Sequence, residues 1–251
     1  MRHFHQICVI FMSSDNLLTV FEDVIDPFPY TLHLFTPRPL RFLKLKQAHP
    51  NTILNKWEWM FLFIDTETTG LPKYSATTDT EKWPRIVQLA WSLYDSDGNR
   101  ESQNSFIIYP TDFIIPMESA RIHGITTERA KTEGVSLHKV LPQFNADVEK
   151  ATRIIAHNLD FDLPIVNTEF LRCKLETNLM KKQMVCTMKP REIVAWCKIP
   201  KASGYGFKWP TLTELHLQLF QEEFSGSHNA GADVEACARC YFELRKRGII
   251  G

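Results

Sequence analysis

The chain has 251 residues, of which 44% are hydrophobic and 23% are charged. This is the composition of an ordinary globular protein, and it excludes a mainly disordered chain, a collagen-like fibre and a coiled coil. The 29 basic and 29 acidic residues give a formal net charge of zero. A uniformly basic nucleic-acid coat is therefore excluded, whereas a local basic track is not.

No apolar run approaches the roughly 20 residues that are needed to span a bilayer, so no membrane partner is expected. The six cysteines do not suggest a disulfide scaffold in a chain of this length. A reducing, cytoplasmic location therefore fits the sequence best.

Residues 1–59 differ in composition from the rest of the chain. They contain none of the 10 glycines but five of the 14 prolines, and no helical or strand period persists through them. Met60 then stands at the start of an apolar strand. We expect an N-terminal extension at 1–59 and a separate domain at 60–251. The extension is either absent from the natural protein, if translation begins at Met60, or a small docking appendage.

From Met60 onward the pattern is that of an α/β protein. Strands are predicted at 61–65, 86–94 and 105–109, and the turn signal at 95–99 makes the last two a hairpin. Further helices and short strands follow: helices at 142–150, 163–177, 211–220 and 230–247, and strands at 153–156 and 184–186. Strands first, then alternating helices and strands, predict a mixed sheet covered by helices.

The end of the first predicted strand carries two carboxylates, Asp65 and Glu67, within the run Phe63–Gly70. Residues i and i+2 of a strand point to the same side. Two acids on one face repel each other and are costly to bury unless a cation lies between them, and hard cations such as Mg²⁺ prefer oxygen ligands. The alternative for an isolated pair of this kind is a solvated turn.

Two later segments bring further acids to comparable positions. The strand at 153–156 runs into His157 and Asn158, and then into Asp160 and Asp162 where a helix opens. The loop before the C-terminal helix carries His228 and, five residues later, Asp233. Because α/β folds assemble their sites at strand ends and helix starts, we expect four acids and one histidine from the three segments in one site, with His157 as an ordinary histidine at a strand end.

The three segments resemble the three exonuclease motifs of the DEDDh, or DnaQ-like, family of 3′–5′ exonucleases, to which the epsilon proofreading subunit of bacterial DNA polymerase III belongs. Phe63–Gly70 resembles the first motif, His157-Asn158 with Phe161-Asp162 the second, and His228-x4-Asp233 the third. The resemblance extends from about Met60 to Leu244. It implies a ribonuclease-H-like fold, with a five-stranded mixed sheet whose first three strands are antiparallel and which is flanked by helices.

The resemblance implies a catalytic set made of four carboxylates and one histidine: Asp65, Glu67, Asp162, His228 and Asp233. The carboxylates would hold two Mg²⁺ or Mn²⁺ ions, with Asp65 on both. Glu67 and Asp233 would complete the ion on the nucleophile side, and Asp162 would hold the other. His228 would be the general base, a role that suits an imidazole because its pKa lies near neutrality. Asp160 is the alternative to Asp162, but we expect it to cap the following helix.

The resemblance implies substrate contacts for four residues in or beside the first two motifs and for one in a separate run that resembles the family segment around the terminal base and sugar: Thr66, Thr68, Leu71, Asn158 and His123. His123 belongs to the run His123-Gly124-Ile125-Thr126, for which a plain helix cap by Thr126 is an equal alternative. Between Lys181 and Lys208 the chain carries seven basic residues and one acid, and aromatic residues cluster at one end of the stretch. This pattern favours equally a single-strand contact and a solvated helix followed by a hydrophobic loop.

The motifs therefore predict a metal-dependent 3′–5′ exonuclease that acts on DNA in proofreading or repair. Its expected partners are the 3′ end of a nucleic acid, single-stranded DNA above all, and a DNA polymerase. Two alternatives stay open: an RNA-trimming exonuclease of the same fold, and a catalytically silent nucleic-acid-binding or polymerase-docking module.

Overall fold

The computed structural model describes residues 59–72 and 79–251, together with the backbone of two short strands nearer the N-terminus. The chain divides into two compact units, Met1–Thr52 and Ile53–Gly251. In the first unit β1 (Cys8–Val9) pairs antiparallel with β2 (Val20–Phe21). The predicted extension at 1–59 falls almost entirely outside the described residues.

The second unit is built on a five-stranded sheet with the spatial order β5-β4-β3-β6-β7. Its strands are β3 (Phe61–Thr68), β4 (Ile86–Tyr94), β5 (Arg100–Ile107), β6 (Arg153–Ala156) and β7 (Gln183–Cys186). The first three pair antiparallel, whereas β6 and β7 extend the sheet parallel to β3. The predicted mixed sheet with three antiparallel strands first is confirmed.

The α-helices that accompany this sheet in the described part of the chain are α1 (Met117–His123), α2 (Thr127–Glu133), α3 (Leu137–Lys150), α4 (Leu159–Arg172), α5 (Arg191–Cys197), α6 (Leu212–Phe220) and α7 (Ala230–Lys246). Among the described residues no helix is both long enough and apolar enough to cross a membrane.

Strand β3 is buried on both faces, and its alternating side chains divide between two helical layers. Leu62 and Ile64 belong to the core that α3 and α4 cover. Phe61 and Phe63 pack instead with Tyr241 and its neighbours on α7. The even-numbered residues of β3 therefore pack towards α4, and its odd-numbered residues pack towards α7.

Strand β5 begins at Arg100, five residues before the predicted position of 105. The Asp95 carboxylate accepts the N–H groups of Asp97 and Asn99 at 2.9 and 2.8 Å, which closes the turn within five residues. Arg100 can then pair directly with Tyr94. The early part of β5 lacks an apolar pattern because its residues alternate between exposed and half-buried positions at the edge of the sheet.

Helices α3 and α4 also begin earlier than the predicted residues 142 and 163. Pro142 lies inside α3, where the loss of one main-chain hydrogen bond is offset by burial of Val140 and Leu141. Asn158, with a left-handed φ of 75°, turns the chain from β6 straight into α4. The prediction that Asp160 caps α4 is wrong, because Asn158 holds the cap position and Asp160 lies in the first turn.

A buried ionic cluster fastens α4 to the start of β4. Glu169, 1% exposed, accepts hydrogen bonds from Arg85 Nε and Arg172 Nη1, both at 2.9 Å, and from the Ile86 N–H at 3.2 Å. Through its backbone, Arg85 also exchanges two 3.0 Å hydrogen bonds with Thr69, in the turn that follows β3. The cluster therefore fixes α4 relative to the end of β3, where the first motif lies.

Glu169→Ala should lower the free energy of unfolding by about 3–5 kcal/mol, because the guanidinium groups of Arg85 and Arg172 lose their shared buried anion. Urea unfolding measures this change. The matched control is Glu133→Ala, which removes the exposed partner of Arg129 on α2 and should change stability by less than about 1 kcal/mol. Equal losses in both variants would show that the cluster is not a structural anchor.

Candidate active site

The three motifs meet at one cavity of about 500 Å³ at the end of β3. Its lining combines the motif residues with the N-terminal end of α6: Asp65, Thr66, Glu67, Leu71, His157, Asn158, Phe161, Asp162, Thr211, Leu212, Thr213, Ser227, His228 and Asp233. All five residues that are expected to be catalytic line this cavity.

Three of the acids lie close enough to share one cation. Oxygen atoms from Asp65, Glu67 and Asp233 are all within 4.8 Å of one another. The alternation of side chains along β3 explains this proximity. Asp65 and Glu67 lie on the odd-numbered face of β3. Helix α7 packs on that face and carries Asp233 in its first turn.

The fourth acid, Asp162, enters from the opposite helical layer. It lies in the first turn of α4 and is 2% exposed. Its Oδ1 atom accepts the Thr66 N–H at 3.0 Å and the Thr66 hydroxyl at 2.8 Å. Thr66 belongs to the even-numbered face of β3, so the same strand that presents Asp65 and Glu67 also orients Asp162. The other carboxylate oxygen of Asp162 is not engaged by Thr66.

Burial raises the pKa values of all four carboxyl groups, and repulsion by neighbouring acids adds to this for Asp65, Glu67 and Asp162. Burial, helped by Asp162, Asp233 and Glu67, raises the pKa of Asp65 well above its usual range. Burial and the negative charges of Asp233 and Asp162 raise the pKa of Glu67 to about 7. Burial also raises the pKa of Asp162 to about 7 and that of Asp233 to about 6, although hydrogen bonds from Thr66 and from the His228 N–H oppose it.

This acidic set fits divalent cations by its donor chemistry. None of the four carboxylates forms an ion pair with a lysine or arginine among the residues that the structure describes. Negative charges held together out of water need compensating positive charge. Because every donor is a carboxylate oxygen, Asp65, Glu67, Asp162 and Asp233 could hold Mg²⁺ or Mn²⁺.

His228 lies on the exposed loop before α7 and lines the cavity. Its φ of 66° is in the left-handed region, which is uncommon outside glycine. The backbone N–H of His228 donates to Asp233 Oδ2 at 3.0 Å, and the Asn229 side chain caps α7 through the Gly231 and Ala232 N–H groups. The backbone at this position is therefore tied to a site carboxylate, while the residue stays exposed to solvent.

His157 has a different environment, although it also lines the cavity. Its Nδ1 lies 3.0 Å from Thr187 Oγ1, and its Nε2 lies 3.0 Å from the Pro210 carbonyl oxygen. Burial lowers its pKa to about 4, against the opposing effect of the Pro210 hydrogen bond. Both ring nitrogens are occupied, so His157 ties the end of β6 to the segment that enters α6.

The residues that are expected to touch the nucleotide separate into two groups. Thr66, Leu71 and Asn158 line the cavity, and Leu71 is 81% exposed. Thr68 and His123 are buried and do not line it. The Thr68 hydroxyl donates to the Gly70 carbonyl at 2.7 Å, and His123 Nδ1 accepts the Ile125 N–H at 3.2 Å.

His123 nevertheless lies near the site. Burial lowers its pKa, a hydrogen bond with the Thr68 backbone opposes this, and the charge of His228 lowers it further. Thr126 caps α2 by accepting the Arg129 N–H at 3.2 Å, so the expected helix cap is present, and contact between His123 and a nucleotide stays a prediction.

The cavity wall at the start of α6 was not predicted from the sequence as part of the site. Thr211, Leu212 and Thr213 supply it. The available signal was a capping box, since Thr211 accepts the Glu214 N–H while the Glu214 carboxylate accepts the Thr211 N–H. That signature locates the start of a helix, but it does not indicate which strand end the helix faces.

Comparisons with known proteins agree on one family. The sequence profile described as exonuclease matches residues 62–241. The DNA polymerase III subunit epsilon of Treponema pallidum (strain Nichols) is 27% identical over 181 residues, which covers 72% of this chain and 74% of that protein.

Solved structures of E. coli exonuclease I share the fold. The complex with a dA16 oligonucleotide matches with a TM-score of 0.61 at 20% identity over 75% of this chain, and the zinc-bound complex with single-stranded DNA matches with 0.59 at 22% identity over 76%. The chain spans 41% of the length of each. Because the family profile covers more than half of the chain and includes all three motifs, the chain belongs to the exonuclease family, which confirms its assignment to the DnaQ-like 3′–5′ exonucleases.

Proposed function

We propose that the chain is a metal-dependent exonuclease that removes nucleotides from the 3′ end of DNA. One observation carries the proposal: four carboxylates with raised pKa values, Asp65, Glu67, Asp162 and Asp233, surround one cavity. An arrangement of anions that is unfavourable in the metal-free protein is the expected form of a site built to bind cations.

Each acid has a role in this proposal. Two divalent cations would neutralise the charge on the scissile phosphate and lower the pKa of the attacking water. Glu67 and Asp233, whose oxygens lie within 4.8 Å of those of Asp65, would hold the cation on the nucleophile side. Asp162 would hold the second cation with the oxygen that Thr66 leaves unengaged. Asp65 would contact both cations, since all three other acids raise its pKa.

His228 would take the proton from the attacking water. It lines the cavity beside Asp233 while remaining exposed, so its imidazole can exchange protons with solvent. His157 is unsuited to this role because both of its ring nitrogens are engaged and its pKa is lowered to about 4.

The nature of the substrate is inferred from similar proteins. Solved complexes of exonuclease I contain dA16 and dT13 oligonucleotides, and the Treponema relative is a subunit of DNA polymerase III. The oligonucleotide complexes support single-stranded DNA as the substrate. The Treponema relative supports a DNA polymerase as partner and, with it, a proofreading or repair setting. The proposal assigns the activity to residues 60–251 and to the cytoplasm.

The deciding experiment is digestion of matched oligonucleotides labelled at the 5′ end, as single-stranded DNA, duplex DNA and RNA, with Mg²⁺ or Mn²⁺ and with EDTA. We expect a ladder that shortens from the 3′ end of single-stranded DNA and needs the metal. Preferred digestion of RNA would replace the DNA assignment by the RNA-trimming one. Binding of all three without digestion would contradict an enzymatic function.

Asp65→Asn and Asp162→Asn should each lower turnover by on the order of 10³-fold or more, because each removes a carboxylate that would hold a cation, and the cations would stabilise the negative charge of the transition state. The matched control is Asp160→Asn, two residues from Asp162 but exposed and paired with Lys189 at 2.7 Å. It should retain the turnover of the wild type. Loss of turnover in Asp160→Asn together with activity in Asp162→Asn would exchange the roles of these two acids.

The metal-free protein should lose stability as the pH rises. Glu67 and Asp162 titrate near pH 7 in the folded protein, whereas ordinary carboxyl groups titrate near about 4. Between these values the folded state holds more protons than the unfolded chain, so the free energy of unfolding falls as the pH rises from about 4 to about 7.

Glu67→Gln should therefore be more stable than the wild type at pH 8 in EDTA, and this advantage should disappear near pH 4. Urea unfolding across the pH range measures the difference, with Glu101→Gln on the exposed edge of β5 as the control. Added Mg²⁺ should stabilise the wild type at pH 8 more than the variant. Parallel pH profiles for the wild type and Glu67→Gln would refute the electrostatic account of the site.

His228→Gln should lower turnover by about 10²–10⁴-fold, the usual contribution of a general base. Mg²⁺ affinity should change little, because His228 is not assigned as a ligand. At saturating Mg²⁺ the pH–rate profile should also lose its acidic limb. Wild-type turnover with an unchanged acidic limb would mean that another group accepts the proton.

A further inference from the structure

Residues 198–209, between α5 and α6, form a hairpin-like loop that we call the aromatic loop. Two main-chain hydrogen bonds close it, from the Lys201 N–H to the Gly206 carbonyl at 3.1 Å and from the Lys208 N–H to the Ile199 carbonyl at 2.9 Å. Gly206 has a φ of +74°, which side-chain-bearing residues rarely adopt. The loop is therefore shaped by its own main-chain hydrogen bonds and by the backbone turn at Gly206.

The aromatic loop exposes three large rings to solvent. Tyr205 is 89% exposed, Trp209 57% and Phe207 45%. The aromatic residues of the sheet core, such as Phe61 and Phe63, are at most 1% exposed. Exposed apolar side chains that cluster in this way indicate an interaction surface.

The aromatic loop continues directly into the wall of the active-site cavity. Trp209 precedes Pro210, whose carbonyl is held by His157, and Thr211 lines the cavity. The Lys189 ammonium lies 5.2 Å from the centroid of the Trp209 ring. Trp209 therefore stands two residues before the first residue of the cavity wall.

The charge around the aromatic loop is opposite to that of the cavity. Arg191, Lys198 and Lys201 are exposed and form no ion pair in the described part of the chain. Glu192 is the one acid between residues 189 and 209. A polyanion is repelled by the four site carboxylates, so positive charge beside the cavity is where its phosphates would gain stabilisation.

We propose that the aromatic loop binds the single strand on the 5′ side of the nucleotide that is being removed, with bases stacked on Trp209 and Tyr205 and phosphates beside Lys198 and Lys201. This inference rests on the proposed nuclease function and extends it to a second binding site. Aromatic rings offer every base a stacking surface, so the site is tolerant of sequence. Interleaved lysines suit a phosphate backbone better than an apolar peptide.

The test compares the affinities of a long and a short strand. Fluorescence anisotropy with a thymidine oligomer of about eight nucleotides, the length that such surfaces cover, and with a thymidine dinucleotide gives both dissociation constants. The measurements use an Asp65→Asn background, so that hydrolysis does not intervene. These affinities test strand binding by the aromatic loop even if the wild type does not hydrolyse DNA. Inactivity of the wild type would contradict the proposed nuclease function but not the binding site on the loop.

Trp209→Ala and Tyr205→Ser should each weaken binding of the oligomer by about 5- to 100-fold, the usual effect of losing a stacked base. Dinucleotide binding should weaken less, so that the preference for the longer strand declines. Tyr205 is so exposed that Tyr205→Ser keeps the test valid if Trp209→Ala fails to fold. An unchanged preference in Tyr205→Ser would overturn the proposal and favour a protein as the occupant.

The matched control is Trp59→Ala. Trp59 is 44% exposed and lies under the Arg153 guanidinium, 4.6 Å from the ring centroid, but it stands at the opposite end of β3 from the acids. It should retain wild-type affinity for both strands. A loss equal to that of Trp209→Ala would overturn the assignment to the loop.

Salt dependence distinguishes the two kinds of contact. Lys201→Gln should reduce the slope of log affinity against log salt concentration by about 0.7, the value for one phosphate contact on a single strand. Tyr205→Ser should weaken binding without changing this slope. If Lys201→Gln leaves the slope of the wild type unchanged, the assigned phosphate contact is wrong.

Discussion

Four carboxylates that repel one another occupy one end of the sheet, and much of the surrounding structure holds them in place. Burial raises every one of their pKa values, and repulsion by neighbouring acids adds to this for Asp65, Glu67 and Asp162. Carboxylates that repel one another would move apart if the strand and helices that carry them were flexible. The supports are therefore rigid: β3 is paired on both sides within the sheet, and the Glu169 cluster fastens α4 to the segment that follows β3.

Because side chains alternate along β3, the acids are held by two separate helical layers. The odd-numbered face of β3 presents Asp65 and Glu67 towards the layer of α7, which brings Asp233. The even-numbered face presents Thr66 towards the layer of α4, which brings Asp162. One strand therefore sets the relative positions of two helices at the site. A shift of β3 by one residue would exchange the two faces and separate the acids.

The order of strands and the members of the site were predictable because both depend on local patterns. Apolar runs located β3, β4 and β6, and the motif acids follow directly on strand ends or helix starts. The start of β5 was missed because an edge strand has no continuous apolar pattern. The cap of α4 was misassigned because Asn158 takes its left-handed conformation without a side-chain hydrogen bond. The α6 wall was missed because it depends on the long-range contact between His157 and Pro210.

The environment of His157 has a consequence for exposure to acid. Its pKa of about 4 means that it remains neutral while the site carboxylates, which titrate near 6 to 7, take up protons. In the metal-free protein, mild acidification would therefore protonate the metal-binding acids and leave the link between β6 and the α6 wall intact.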